Sequence, residues 1–177
     1  MEKERLNKYL ASCGLCSRRE ADRLIAEKRV TVNGEIAREG MQVNGDDKIT
    51  VNGKPIHGKD KKVVLAYYKP VGVTCTEKDR FADKKITDMV KFPVRVTYAG
   101  RLDKDSEGLM LLSNDGDLIQ SLMKGSKGHE KEYLVKVNRE VTEDFIRKME
   151  AGVYLSELDI TTKPCKAEKN GKYQFKI

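Results

Sequence analysis

The chain has 177 residues, of which 36% are charged, and 35 lysines and arginines against 28 aspartates and glutamates leave a net charge of +7. This balance favours a polyanionic partner such as nucleic acid, and the length allows one or two domains with a substantial core. No apolar run approaches about 18 residues, which argues against a membrane-spanning helix. Four cysteines without an apolar leader predict free thiols and a cytoplasmic location.

The first fifty residues predict a compact helix–helix–strand unit. Apolar side chains from Leu6 to Cys13 recur at helical spacing, and Gly14 ends this first helix. Ser17 and Glu20 fit a capping box that starts a second helix. Two near copies of the sequence Thr-Val-Asn-Gly follow, and each predicts a tight hairpin turn.

Two cysteines in this unit, Cys13 and Cys16, have the spacing of half a zinc site or of a redox pair. Zinc needs four ligands, and the other cysteines and histidines offer no second close pair. A redox pair is expected in a βαβ context, which the pattern does not predict. We therefore interpret them as small, partly buried residues at a turn between the helices.

Basic side chains are concentrated around the second helix. Residues 1–30 hold eight lysines and arginines against five acids, and several bases lie where the exposed N–H groups of a helix start favour phosphate. The alternative is an ordinary solvated helix face. Residues 5–34, RLNKYLASCGLCSRREADRLIAEKRVTVNG, resemble the S4-like RNA-binding domain. That resemblance implies a helix pair lying on structured RNA, and the residues predicted to contact it are Arg5, Lys8, Arg18, Arg19, Arg23 and Lys28.

The polar segment 57–62, HGKDKK, is typical of a linker. After it the pattern changes to strands, predicted at Val63–Tyr68, 97–102, 108–112 and 133–137. Short helices are predicted at 117–123 and from a cap at Thr142 to Met149. Tyr173, Phe175 and Ile177 alternate, so the last residues also have a strand pattern.

The acidic run from Ala99 to Gly116 imitates the start of a calcium loop, but the twelfth position, which needs a bidentate acid, is Asn114. We therefore predict no metal site. If the strand before it continues past Leu102, Arg101 and Asp103 share one face, and the later acids fall in turns. From spacing alone, a structural Arg101–Asp103 ion pair and a catalytic site are equally good interpretations.

A resemblance to a known family favours the catalytic interpretation of this run. Residues 98–116, YAGRLDKDSEGLMLLSNDG, resemble the signature of the ribosomal pseudouridine synthases of the RsuA/RluB/RluF type. KPVG at residues 69–72 and EKEY at residues 130–133 are similar to further motifs of that family, in the same order. The segment EKEYLVKV most resembles the RluF-like members, which act on large-subunit (23S) rRNA.

The resemblance implies an isomerase that turns a uridine of rRNA into pseudouridine by base flipping. It implies that Asp103 is the catalytic residue, attacking C1′ or deprotonating C2′, that Arg101 holds the flipped nucleotide, and that Tyr133 stacks on the uracil. No atom is gained or lost in this isomerisation, so no cofactor is expected. A monomer is expected.

The implied fold class is α+β: an S4-like domain at 1–56, a linker at 57–62, and at 63–177 a mixed, largely antiparallel synthase sheet with flanking helices. The family continues into a basic motif that this sequence lacks, so the C-terminal part of the catalytic domain is expected to be missing. The alternative function is a non-catalytic rRNA-binding protein that keeps a truncated synthase scaffold.

Overall fold

The computed structural model describes residues 2–77, 79–124 and 128–177. It divides into two compact units, Met1–Lys127 and Gly128–Ile177, each of which is described by itself. No helix among the described residues is long and apolar enough to cross a membrane.

The first unit opens with a module of two helices and short strands. Its helices are α1 (Leu6–Ser12) and α2 (Arg18–Ala26). Its strands are β1 (Glu4–Arg5), β2 (Val30–Val32), β3 (Glu35–Ile36), β4 (Gln42–Val43), β5 (Ile49–Val51) and β6 (Lys54–Pro55). Strands β3, β2, β5 and β6 form an antiparallel sheet in that order, and β1 pairs with β4.

Local interactions predicted from the sequence are present in this module. The Ser17 hydroxyl accepts a hydrogen bond from the Glu20 backbone N–H at 3.2 Å, so Ser17 is the cap of α2. Asn33 and Asn52 both have positive φ and precede glycines with positive φ, as the tight hairpin turns require. The buried apolar residues form one cluster of Leu6, Tyr9, Leu10, Ala21, Leu24, Ile25, Val30, Val32, Ala37, Val43, Ile49 and Val51.

The rest of the first unit is built on a second antiparallel sheet, in the order β7–β9–β8. Its strands are β7 (Val64–Lys69), β8 (Thr97–Ala99) and β9 (Gly108–Ser113), and its helices are α3 (Ile86–Met89) and α4 (Gly116–Met123). One face of the sheet packs on a separate core that contains Val73, Cys75, Ile86, Met110 and Leu112.

The prediction of a strand over residues 97–102 is wrong at its C-terminal end. Strand β8 ends at Ala99, and Gly100 adopts a φ of +88°. A Cβ atom at Gly100 would lie 3.2 Å from the Met123 sulfur of α4, so the glycine both turns the chain and admits the helix. Arg101 and Asp103 therefore lie in a loop and do not share a strand face.

The second unit combines a three-stranded antiparallel sheet, β10–β14–β13, with one helix and a hairpin. Its elements are β10 (Leu134–Lys136), α5 (Glu143–Ala151), β11 (Tyr154–Leu155), β12 (Ile160–Thr161), β13 (Glu168–Lys169) and β14 (Gln174–Lys176). The Thr142 hydroxyl caps α5 by accepting from the Phe145 N–H at 3.1 Å, as predicted, and Gly152 follows the helix. Val141, Ile146 and Phe175 form its core. The α+β class is confirmed: helices flank sheets whose strands are paired antiparallel.

Candidate functional site

Asp103 lies in the loop between β8 and β9, and its side chain is exposed. The Ser106 N–H donates to the Asp103 carbonyl at 3.1 Å and closes a turn there. Arg101, on the same loop, is also exposed. Among the described residues neither side chain takes part in an ion pair, so the predicted alternative of a structural Arg101–Asp103 pair is wrong.

A buried lysine anchors this loop through hydrogen bonds to its backbone. Lys69, the last residue of β7, has 0% exposure. Its ammonium donates to the carbonyls of Pro70 at 3.1 Å, Ser106 at 2.5 Å and Lys104 at 3.5 Å. A lysine ammonium has three donors, so all three find acceptors, which is the condition for burying a charge at acceptable cost. Two of the acceptors belong to the turn that follows Asp103.

The loop is also held through the backbone of the sequence KPVG. The Gly72 N–H donates to the Lys104 carbonyl at 2.7 Å. The similarity of KPVG to a family motif did not predict that Lys69 is buried or that it anchors the loop. The strand pattern could have indicated this burial, because alternation along β7 places Lys69 on the same face as Leu65 and Tyr67, toward the core. A lysine at a core position needs a buried set of acceptors.

Strand β8 leads into the loop and is fixed by polar contacts to the chain before α3. The Tyr98 hydroxyl donates to the Cys75 carbonyl at 3.1 Å. Burial, more than the nearby Glu77 carboxylate, raises the pKa of Tyr98, and the Arg101 cation opposes this shift. The loop carries exposed groups of both signs, Arg101 and Lys104 together with Asp103, Asp105 and Glu107.

Tyr133, the third predicted site residue, belongs to the second unit. Its backbone exchanges two hydrogen bonds with Ile177, at 2.8 and 3.0 Å, and so continues the pairing of β10 with β14. Its side chain is 47% exposed. Tyr133 is therefore not a core tyrosine, and its side chain is accessible to solvent.

The predicted RNA-contacting bases are not all on one surface. Lys8, Arg18 and Arg19 line a cleft of about 950 Å³ in the first unit, whereas Lys28 lines a different concavity of about 680 Å³. Arg5 lies in β1 and is exposed. Arg23 is exposed and ion-paired with Glu20 and, at 3.8 Å, with Glu27. These contacts raise the pKa of Arg23, chiefly through its hydrogen bond to Glu20. Its guanidinium is already engaged by two carboxylates.

The cysteines and acids do not assemble into a metal centre within the described residues, where no three histidine, cysteine, aspartate or glutamate side chains come together. Cys13 and Cys16 are half-buried free thiols, and burial raises the pKa of both. The carboxylate of Asp103 is exposed on the loop, as are those of Asp105 and Glu107, and it can act as a nucleophile or as a base.

Comparison with known proteins gives a consistent result. Residues 63–176 match the model of the RNA pseudouridylate synthase family, and residues 4–49 match the S4 domain. The dual-specificity RNA pseudouridine synthase RluF of Escherichia coli strain K12 is 46% identical over 175 residues, which are 98% of this chain and 59% of that protein. The ribosomal large subunit pseudouridine synthase B of Bacillus subtilis is 40% identical over 167 residues, 93% of this chain and 67% of that protein.

A solved structure of a pseudouridylate synthase superposes with a TM-score of 0.62 at 27% identity, and covers 97% of this chain and 75% of that one. The chain spans about three-fifths of the length of the RluF proteins that it matches. The predicted domain boundaries, 1–56, 57–62 and 63–177, stay a prediction.

Proposed function

Because this chain belongs to the RNA pseudouridylate synthase family, we propose that it converts a specific uridine of ribosomal RNA, in the 23S molecule, into pseudouridine. The observation that carries the proposal is the exposed Asp103 carboxylate on a loop whose backbone is clamped by buried Lys69. A rigid support with a solvent-facing acid suits a reaction that needs one well-placed carboxylate.

The proposed reaction breaks the C1′–N1 bond of uridine, turns the uracil and joins C5 to C1′. All atoms of the nucleoside remain in the product apart from exchange of the C5 hydrogen with water, so the chemistry requires no cofactor and no activated water. Asp103 attacks C1′ or removes the C2′ proton, and the structure supports either role because its carboxylate is exposed and without a cationic partner among the described residues.

The remaining residues of the proposal bind the RNA. Flipping a nucleotide out of a stack costs a few kcal/mol, which stacking and phosphate contacts must offset. We assign the stacking to the exposed ring of Tyr133 and a contact to the flipped nucleotide to Arg101. The S4-like module supplies the phosphate contacts, from Lys8, Arg18 and Arg19 in its cleft and with smaller contributions elsewhere. The proposal also has the protein act as a monomer in the cytoplasm.

The test is an isomerisation assay on a 23S rRNA transcript labelled with tritium at C5 of uridine, because forming the C5–C1′ bond releases that hydrogen. We expect Asp103→Asn to lower the rate by at least about a thousandfold while RNA affinity stays within about twofold. Asp105→Asn is the matched control, since Asp105 is an exposed acid of the same loop.

Two results would count against the proposal. Tritium release that survives Asp103→Asn would mean that another group is the catalyst. An unaltered chain that binds the transcript but releases no tritium from it would favour the alternative function, a non-catalytic rRNA-binding protein.

A further inference from the structure

The cleft of about 950 Å³ lies between the helix pair of the S4-like module and the β7–β9–β8 sheet, and its charges nearly cancel. Seven of its lining residues are basic and six are acidic. A cleft that simply attracts RNA would carry an excess of one sign. This one contains bases of the kind that bind phosphate, together with the carboxylates that neutralise them.

Among the described residues, four ion pairs join bases and acids of the cleft, and one of them connects its two sides. Lys8 of α1 pairs with Asp117 of α4 at 2.7 Å, which joins the S4-like module directly to the synthase sheet. Lys62, at the end of the linker, pairs at 2.7 Å with Asp115, the cap of α4. The hydrogen bond from Lys62 is the main reason that the pKa of Asp115 lies below its usual range.

The linker itself is held at both ends. On the module side, the Asp60 N–H donates to the Ser12 carbonyl at 3.3 Å, and the Asp60 carboxylate lies against Gly14, where a Cβ atom would collide with it. On the sheet side, the Asn114 side chain donates to the Lys61 carbonyl and accepts from the Val63 N–H, both at 2.9 Å. The linker is therefore bonded to the module at residue 60 and to the sheet side from residue 61 onward.

Apolar packing contributes little to this junction. The buried cluster of the S4-like module and the buried cluster of the sheet have no member in common among the described residues. The side chains of Lys8 and Asp117 are 37% and 60% exposed. Exposed ion pairs stabilise by about 1 kcal/mol at most and weaken with salt. The junction is therefore weak and ionic.

We propose that the Lys8–Asp117 pair is a latch that holds the S4-like module against the synthase sheet until an RNA phosphate displaces Asp117 from Lys8. This inference rests on the proposed function, because RNA is the polyanion that competes. A phosphate on Lys8 also releases counterions from the RNA, which favours the exchange. Arg18 and Arg19 line the same cleft and show no ion pair among the described residues, so they meet the phosphates first. The open state binds RNA more tightly than the latched state, as a ligand-driven change requires.

Asp117→Asn and Lys8→Gln distinguish a latch from an ordinary RNA-binding lysine. Both substitutions break the ion pair, but only Lys8→Gln removes a base. Without RNA, Asp117→Asn and Lys8→Gln should both increase the radius of gyration measured by small-angle X-ray scattering, because the module can move away from the sheet while the hydrogen bonds of Asp60 and Val63 on either side of the junction stay intact. With a 23S rRNA fragment, Asp117→Asn should bind up to about fivefold more tightly, whereas Lys8→Gln should bind more weakly. The control is Asp46→Asn, which makes the same charge change at an exposed turn outside the cleft.

A charge reversal, Lys8→Asp with Asp117→Lys, completes the test. It should restore the radius of gyration of the unaltered chain but bind RNA no better than Lys8→Gln, since the base now lies on α4. The latch is disproved if Asp117→Asn has the same radius of gyration as Asp46→Asn. Displacement by RNA is disproved if the radius of gyration increases while the affinity gain of Asp117→Asn does not exceed that of Asp46→Asn. Failure of the proposed function has a different result, namely that the unaltered chain does not bind the rRNA fragment at all.

Discussion

Replacing Lys69 with methionine tests whether this buried ammonium holds the loop of Asp103. Methionine has a similar length but no donor. The Pro70 and Ser106 carbonyls would lose their donor, whereas the Lys104 carbonyl keeps the Gly72 N–H at 2.7 Å. Each carbonyl left without a partner costs about 1 to 3 kcal/mol, and removing a desolvated charge offsets part of that. We expect a net loss of about 2 to 4 kcal/mol in the local stability of the loop.

Hydrogen exchange measures this loss where it occurs. The Ser106 and Gly72 amides donate to carbonyls of the loop, so their exchange reports its opening. A loss of about 2 to 4 kcal/mol accelerates exchange by about 30-fold to several hundredfold. The turnover number should fall more than the RNA affinity, because Asp103 is no longer held in place.

Lys91→Met is the control for lost charge, since Lys91 is exposed in the same unit. If the Ser106 and Gly72 amides exchange at the same rate in Lys69→Met as in Lys91→Met, and the turnover numbers are equal, Lys69 does not hold the loop and our account of the site is wrong.

The remaining predictions concern RNA binding, turnover and pH. Arg19→Ala should weaken binding to every RNA tested and reduce the slope of log affinity against log salt by about one, and an unchanged slope would leave Arg19 as a surface charge. Arg23→Ala should reduce that slope by less, because two carboxylates already engage Arg23. Tyr133→Phe should keep most of the turnover number and Tyr133→Ala should lose at least tenfold, as stacking needs the ring and not the hydroxyl; equal rates for the two would contradict stacking. Folding lowers the pKa of Asp115, so the ionised carboxylate stabilises the fold above the usual aspartate pKa of about 3.9. That stabilisation is lost as pH falls through the folded pKa. Acid denaturation of Asp115→Asn should therefore show a shallower loss of stability over this pH range than that of the unaltered chain.

Much of the fold could be predicted from the sequence because the deciding contacts are local. The Ser17 cap bonds to a residue three positions ahead, and the two Asn-Gly turns depend on the conformations open to those residues themselves. The strand of β9 and the helix capped by Thr142 followed from periodicity of the same short range. Asp103 could be singled out because the residues around it resemble a family signature, and the family match supports that resemblance.

Tertiary structure decided the features that depend on distant segments meeting. Strand β8 ends at Ala99 because Gly100 turns where Met123 of α4 packs, 23 positions further on. Lys69 is buried because carbonyls 35 and 37 positions away converge on its ammonium. Lys8 meets Asp117 across 109 positions, which changes an apparent free base into one member of an ion pair. Periodicity and spacing carry no information about which distant groups come together, so these charges could be counted from the sequence but their partners could not.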